Sequence, residues 1–317
     1  MWQRACFLTR LVSSSVRISE KAGDIIKGIM SSGELNEVDK GKDGKVDLQT
    51  EADRRAQYCI VKSLEQKFTN RLKVIGEEEI TSEAPLELSL SPEVLKIDDQ
   101  CPEVLRSIKE EDVVVWVDPL DGTSEFAQAA KTKSPLLSQV TVLIGISYKG
   151  EAVAGVIHQP YYEGKGRTIW GIVGVGTYGI EIAPADDKRV VVTTRSHPTP
   201  LVNSVLDTLK SQGLLTEVDR VGGAGYKVLR CLEGAAAYVF ASAGCKKWDT
   251  AAPEAILKAT GGHLTDISGR TLCYNADVQR LNSGGVLATA FWVNHQEYVN
   301  AIPEEAKSAL PEFSPKK

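Results

Sequence analysis

Apolar positions at the start of the chain recur with a helical period. Leu8, Leu11, Val12, Ile18, Ala22, Ile25, Ile26 and Ile29 fall close to one stripe of a 3.6-residue repeat. The first nineteen residues also carry three Arg, several Ser and no acid, the composition of a mitochondrial transit peptide. The stripe runs on without a break, which predicts a folded first helix instead. Residues 33–45 are polar and rich in Gly, Asp and Lys, the pattern of a mobile loop. A second helix follows in VDLQTEADRRAQYCIVKSLEQKF, with Thr50 as N-cap and Ala56, Cys59, Ile60 and Leu64 as its apolar face. Residues 72–75 make a short strand that ends in Gly76, Glu77, Glu78 and Glu79, and residues 81–109 form an acidic, peripheral segment with weak helical patches.

The most uniform apolar run is Val113 to Val117. A half-exposed strand would alternate with polar residues, so this one is buried on both faces. It empties into Asp118-Pro119-Leu120-Asp121-Gly122-Thr123, where a helix opens. After a loop over 131–138, two strands join at a turn near Lys149 and Gly150, and a second hairpin spans 167–182. Gly174, Gly176 and Gly179 match G-x-G-x-x-G, but a dinucleotide fingerprint needs a helix after it, and Ile180-Glu181-Ile182 reads as continuing strand.

Polar, Pro-bearing residues 183–187 separate an α+β domain over 1–185 from a smaller α/β domain over 186–317. The second half opens with strand 189–194 and a helix over 201–211. Gly222, Gly223 and Gly225 then precede a helix that carries Lys227 in its first turn. Strand 235–241 leads to a helix near Asp249. A turn-and-hairpin segment at 261–270, a buried strand at 283–291 and a C-terminal helix from Asn294 complete the chain.

With 317 residues, 42% hydrophobic and 25% charged, the chain can bury a large core. A net charge of −5 excludes a nucleic-acid polymer or an anionic membrane held by bulk electrostatics, so a phosphorylated ligand must find local cations. The six Cys have no C-x-x-C spacing, which suits a reducing, cytoplasmic setting, and no apolar run approaches a membrane span. Nor do the four His show zinc-like spacing.

Taken singly, the polar signals have local explanations. DPLDGT suits a turn, Asp53 a capping box with Thr50, Asp249 a helix N-cap, and the Gly-rich turn before Lys227 a generic anion nest. Taken together they suggest chemistry. If Glu77, Asp118, Asp121 and Asp249 converge, four negative charges share one pocket and need cations; two Mg²⁺ suffice, with Asp118 bridging and the Leu120 carbonyl completing a hard-oxygen shell. Thr123 is placed to orient a water and Asp53 to take its proton through the Thr hydroxyl. The reaction that follows is hydrolysis of a phosphate monoester.

IGEE at 75–78, DPLDGT at 118–123 and WDTAAPE at 248–254 resemble the three signature blocks of the lithium-sensitive, magnesium-dependent inositol monophosphatase superfamily. VDLQTEADR, VVWVDPLDGT, AGVIHQPYY, TTRSH, RVGGAG, GCKKWDT and LTDISG resemble, in order and over nearly the whole chain, its bisphosphate nucleotidase branch. The resemblance implies a layered α/β/α/β/α sandwich and hydrolysis of the 3′-phosphate of adenosine 3′,5′-bisphosphate to AMP and phosphate. Adenosine 3′-phosphate 5′-phosphosulfate (PAPS) and inositol 1,4-bisphosphate are further implied substrates. It implies two or three Mg²⁺ per site, inhibition by Li⁺, and a small-molecule nucleotide as the partner. Glu77, Asp118, Leu120, Asp121 and Asp249 would be metal ligands and Asp53 with Thr123 the proton-accepting pair. Thr123, Thr194, His197, Gly223 and Lys227 would contact the nucleotide. Tyr226 departs from the small polar residue usual beside that lysine, and the loop from Tyr161 to Arg167 is short. Two rivals remain: an inositol-phosphate phosphatase, which shares the metal residues, and a non-catalytic phospholigand sensor, which would have no use for both Asp53 and Thr123.

Overall fold

The structure, a computed structural model, describes residues 4–41, 47–132, 134–196 and 198–313. Helix α1 (Phe7–Ser32) buries the predicted stripe completely at Leu8, Leu11, Val12, Ile18, Ala22 and Ile26. It stops at Gly33, whose φ of 74° only glycine adopts cheaply. A two-residue ladder follows, β1 (Val38–Asp39) antiparallel to β2 (Leu48–Gln49). The expected loop is therefore partly strand. Asp39 Oδ1 accepts the amides of Gly41 and Asp47 at 2.8 and 2.9 Å, a side-chain clasp that no alternation of apolar residues announces. The rest of that loop, 42–46, lies outside the described residues.

Helix α2 (Glu51–Lys67) precedes β3 (Lys73–Gly76), and the crossover to the next strand carries the short helices α3 (Pro92–Leu95) and α4 (Glu103–Arg106). Then come β4 (Val113–Asp121), α5 (Thr123–Thr132), β5 (Thr141–Tyr148), β6 (Glu151–Gln159), β7 (Arg167–Ile172) and β8 (Gly176–Tyr178). Where a loop was expected over 131–138, α5 runs to Thr132 and Pro135–Gln139 form a 3₁₀ turn, Pro135 supplying the fixed φ of a helix start. Strands β3 to β8 form one six-stranded sheet in sequence order, with β3 and β4 parallel and the others antiparallel. Beyond β8, Gly179 turns the chain with φ 83°, and residues 181–186 are irregular instead of strand. The G-x-G-x-x-G run is thus a hairpin turn and its exit, with no helix behind it.

The second sheet holds β9 (Val190–Thr194), β10 (Glu217–Val221), β11 (Ala237–Phe240), β12 (His263–Thr265) and β13 (Val286–Thr289) in the order β10-β9-β11-β13-β12. Its helices are α6 (Pro200–Ser211), α7 (Ala224–Leu232), α8 (Lys247–Ala259), α9 (His295–Ala301) and α10 (Glu304–Ala309). Helices α1 and α2 pack on one face of the first sheet, α7 and α8 lie between the sheets, and α6, α9 and α10 share the outer core of the second. This is the α/β/α/β/α layering expected.

Helix α8 can lie so close because Gly145 of β5 and Gly155 of β6 are paired in register beneath it. A Cβ on either would come within 2.5 Å of Ala251 or Ala252. Among the described residues no helix is long and apolar enough to cross a membrane.

Candidate active site

Four strand and helix ends meet where β4 stops. Because β3 and β4 are parallel, with Gly76 opposite Val117, Glu77 leaves its strand beside Asp118, and the Glu77 amide donates to the Val117 carbonyl at 3.0 Å. The register of β4 against β5 slips between Asp118 and Asp121, the local distortion that re-aims side chains at a strand end. Asp118 Oδ1 accepts the Leu120 amide at 3.0 Å.

The first turn of α2 reaches the same place. Asp53 Oδ2 accepts both the amide and the hydroxyl of Thr50, at 2.7 and 2.5 Å, which is the capping box legible in the sequence. Its other oxygen, Oδ1, accepts the Thr123 hydroxyl at 3.0 Å; that hydroxyl also lies 3.0 Å from the Leu120 carbonyl. Cap and candidate base are thus the two oxygens of one carboxylate.

Asp249 differs from expectation. Lys246 is the N-cap of α8 and Asp249 sits at the third helical position, its Oδ2 accepting the Lys246 amide at 2.7 Å. The Gly-rich nest also has an occupant of its own. Asp121 Oδ1 accepts the Ala224 amide at 2.7 Å, and Oδ2 accepts the Gly225 amide at 2.8 Å and the Thr141 hydroxyl at 2.7 Å. The anion at the N-terminus of α7 is therefore a carboxylate from β4. Lys227 is buried, donates to the Gly223 carbonyl at 3.0 Å and pulls the Asp121 carboxyl downward. Thr194 is buried at the end of β9, and His197 lies outside the described residues.

The electrostatics record how crowded the acids are. Burial first, then the charges of Glu77, Asp121 and Asp249, hold Asp118 well above the usual carboxylate range. Burial, then Asp249, pushes Glu77 up to about 8 against the pull of Lys246. Asp249 rises to about 6, chiefly through burial, with the Lys246 amide pulling it down and the charge of Asp121 adding to the rise. Asp121 is raised by burial and held back by Thr141, Lys227 and the α7 amides. Asp53 rises to about 6 by burial despite its two bonds from Thr50.

Among the described residues, however, no three His, Cys, Asp or Glu side chains stand grouped ready to hold an ion. Mutual repulsion requires proximity, whereas a ready ligand group requires the oxygens to face one point. Here Asp121 and Asp249 are turned onto protein donors, and Glu77 faces Lys246 Nζ at 3.8 Å. Hard carboxylate oxygens that raise one another's pKa are the donor chemistry a small divalent cation fits.

Glu78 is legible in the sequence as one of the strand-end acids, but its partners Lys40 and Gln49, and the place of Lys246, are not. Glu78 is buried between Lys40 Nζ, at 2.5 Å, and the Gln49 amide, which ties the β1–β2 ladder to the acid cluster. Lys246 faces both Glu77 and Asp47 at 3.8 Å. Cations flanking an acid cluster were the available signal.

The profile of the inositol monophosphatase family matches residues 8–307. The chain is 48% identical to 3′(2′),5′-bisphosphate nucleotidase 1 of Homo sapiens, over 96% of this chain and 97% of that protein. It is 35% identical to the protein of the same name from Dictyostelium discoideum, over 93% and 96%. Among solved structures, extragenic suppressor protein suhB from Bartonella henselae superposes with a TM-score of 0.66 at 19% identity, covering 92% of this chain and 98% of that one. The last comparison speaks to the fold alone.

Proposed function

Since the chain belongs to the inositol monophosphatase family, we propose that it is a magnesium-dependent phosphomonoesterase that converts adenosine 3′,5′-bisphosphate to AMP and phosphate. The observation that carries this reading is the 48% identity, along almost the whole of both chains, to a protein named for that activity. PAPS and inositol 1,4-bisphosphate are secondary substrates in this reading.

Glu77, Asp118, the Leu120 carbonyl, Asp121 and Asp249 would hold the magnesium, two or three ions in number. Bound there, it would neutralise the phosphate and acidify a water. The chain's own part is proton handling and placement. As the water oxygen adds to phosphorus and the P–O3′ bond breaks, the Thr123 hydroxyl takes the water's proton and passes its own to Asp53 Oδ1, 3.0 Å away; the leaving O3′ takes a proton from solvent water to become the 3′-hydroxyl of AMP, and Asp53 returns its proton to solvent. Asp53 suits this role because burial keeps its carboxyl near 6, while Oδ2 remains fixed by Thr50. Thr194, His197, Gly223 and Lys227 would hold the nucleotide on the second half. Six unpaired cysteines among the described residues suit a reducing, cytoplasmic setting.

Phosphate release from a panel of adenosine 3′,5′-bisphosphate, PAPS, inositol 1-phosphate and inositol 1,4-bisphosphate, with magnesium, EDTA or added lithium, tests the reading. A higher kcat/KM for the inositol phosphates than for the adenosine bisphosphate would overturn it.

A further inference from the structure

Two residues after Thr123, the side chain of Glu125 leaves the site and crosses to the second half of the chain. Its carboxylate is almost completely buried, yet its partner is a cation from another element: Arg195 Nη2 donates to Glu125 Oε1 at 3.0 Å. The same Nη2 donates to Gln128 Oε1 at 2.8 Å, one turn further along α5. Arg195 directly follows Thr194 at the end of β9, and its amide bonds the Val221 carbonyl at 3.1 Å, which fixes it to the end of β10. Beside Val221, Gly222 makes room for the carboxylate; a Cβ there would sit 2.0 Å from Glu125 Cδ. The Gly222 amide is itself held by Gln139 Oε1 at 2.7 Å.

Stability alone explains this joint poorly. Arg195 reaches both acceptors with a single nitrogen, and its Nε is buried without a partner. A guanidinium that merely had to be neutralised would use its fork. What the arrangement does secure is distance. It bolts the helix that begins with Thr123 to the ends of β9 and β10, from which Thr194 and the Gly223–Lys227 turn project.

We propose that Glu125, through Arg195 and Gly222, is a positioning residue that sets the spacing between the Asp53–Thr123 pair and the nucleotide-holding ends of the second sheet. The substrate consequence rests on the function proposed above: a nucleotide bisphosphate spans both halves, so its binding senses that spacing.

Two variants break the joint from opposite sides, Glu125→Ala and the more exposed Arg195→Ala, while Glu125→Gln keeps shape and acceptor. With magnesium and adenosine 3′,5′-bisphosphate, both alanine variants should raise KM about tenfold or more and change kcat less than about threefold; Glu125→Gln should recover most of the loss. Hydrogen exchange should rise at the amides of residues 194–196 and 221–225 in the alanine variants and stay as in wild type elsewhere. Unchanged KM with unchanged exchange, or protection lost evenly along the chain, would overturn the proposal. Should the wild-type chain not hydrolyse the bisphosphate at all, the functional reading falls, and the local exchange pattern alone decides the joint.

Discussion

The hydroxyl of Thr123 and Oδ1 of Asp53 are 3.0 Å apart although seventy residues separate them in the chain. The other Asp53 oxygen closes the α2 capping box, so one substitution probes both functions. Asp53→Ala should lower kcat by about 10²–10⁴-fold, the range for losing a positioned general base, with little change in KM. Thr50 would remain the N-cap, but its buried amide and hydroxyl would lose their acceptor, at about 1–3 kcal/mol of stability. Steady-state kinetics beside a thermal melt separates the two; a raised KM with normal kcat would leave Asp53 as a cap only.

The acid cluster makes stability depend on pH in an unusual direction. Glu77 sits near 8 and Asp249 and Asp53 near 6, all above their ordinary values. A carboxyl raised in the folded state takes up its proton before the unfolded chain does, so its contribution is present at low pH and lost as pH rises through the folded value. In EDTA, Tm should therefore rise as pH falls from about 8.5 to 5. Saturating magnesium should lift Tm most at the alkaline end and flatten the slope, because cation and proton compete for the same oxygens. Calorimetry at four pH values, with and without magnesium, checks this; equal slopes in both series would remove the metal from these carboxylates.

Asp121 is bound more tightly to the protein than a plain metal ligand need be, with Thr141 and the Ala224 and Gly225 amides all donating to it. Asp121→Asn replaces one carboxylate oxygen with an NH₂ group, which donates and cannot accept, leaving buried donors unpaired at about 1–3 kcal/mol. Turnover should be abolished, and magnesium should no longer raise Tm as it does in wild type. Near-normal activity would show that Asp121 serves only to tie β4 to α7.

How far the sequence reaches is visible in these same residues. Thr50 and Asp53 declare a cap because they are three apart on one helix, but no spacing rule announces a bond from Asp53 to Thr123. The glycines before α7 were legible as an anion nest, whereas their occupant, Asp121, lies about a hundred positions earlier. The apolar run of β4 was plain because it is buried on both faces, while the β1–β2 ladder is too short for any periodicity to form. Glycines inside strands mark close approach, a sign passed over at Gly145 and Gly155; what approaches them comes from the other half of the chain.

That approach supports the most direct test of how the site is assembled. Gly145 and Gly155 face each other across β5 and β6, and both abut Ala252 of α8. The atoms met by an added Cβ are largely backbone, which cannot swing aside as a long side chain would. Each Gly→Ala change must therefore lift the start of α8, the turn that carries Asp249, at about 1–3 kcal/mol of overpacking. Because both substitutions push on one helix, the double variant should lose clearly less stability than the two single losses added together. Activity at subsaturating magnesium should fall in each single variant and recover as magnesium is raised if Asp249 is a metal ligand as proposed, since its displacement would weaken metal binding more than it disturbs the Asp53–Thr123 pair. Additive melting losses, or an activity loss that magnesium does not rescue, would mean that α8 is not what these glycines admit to the site.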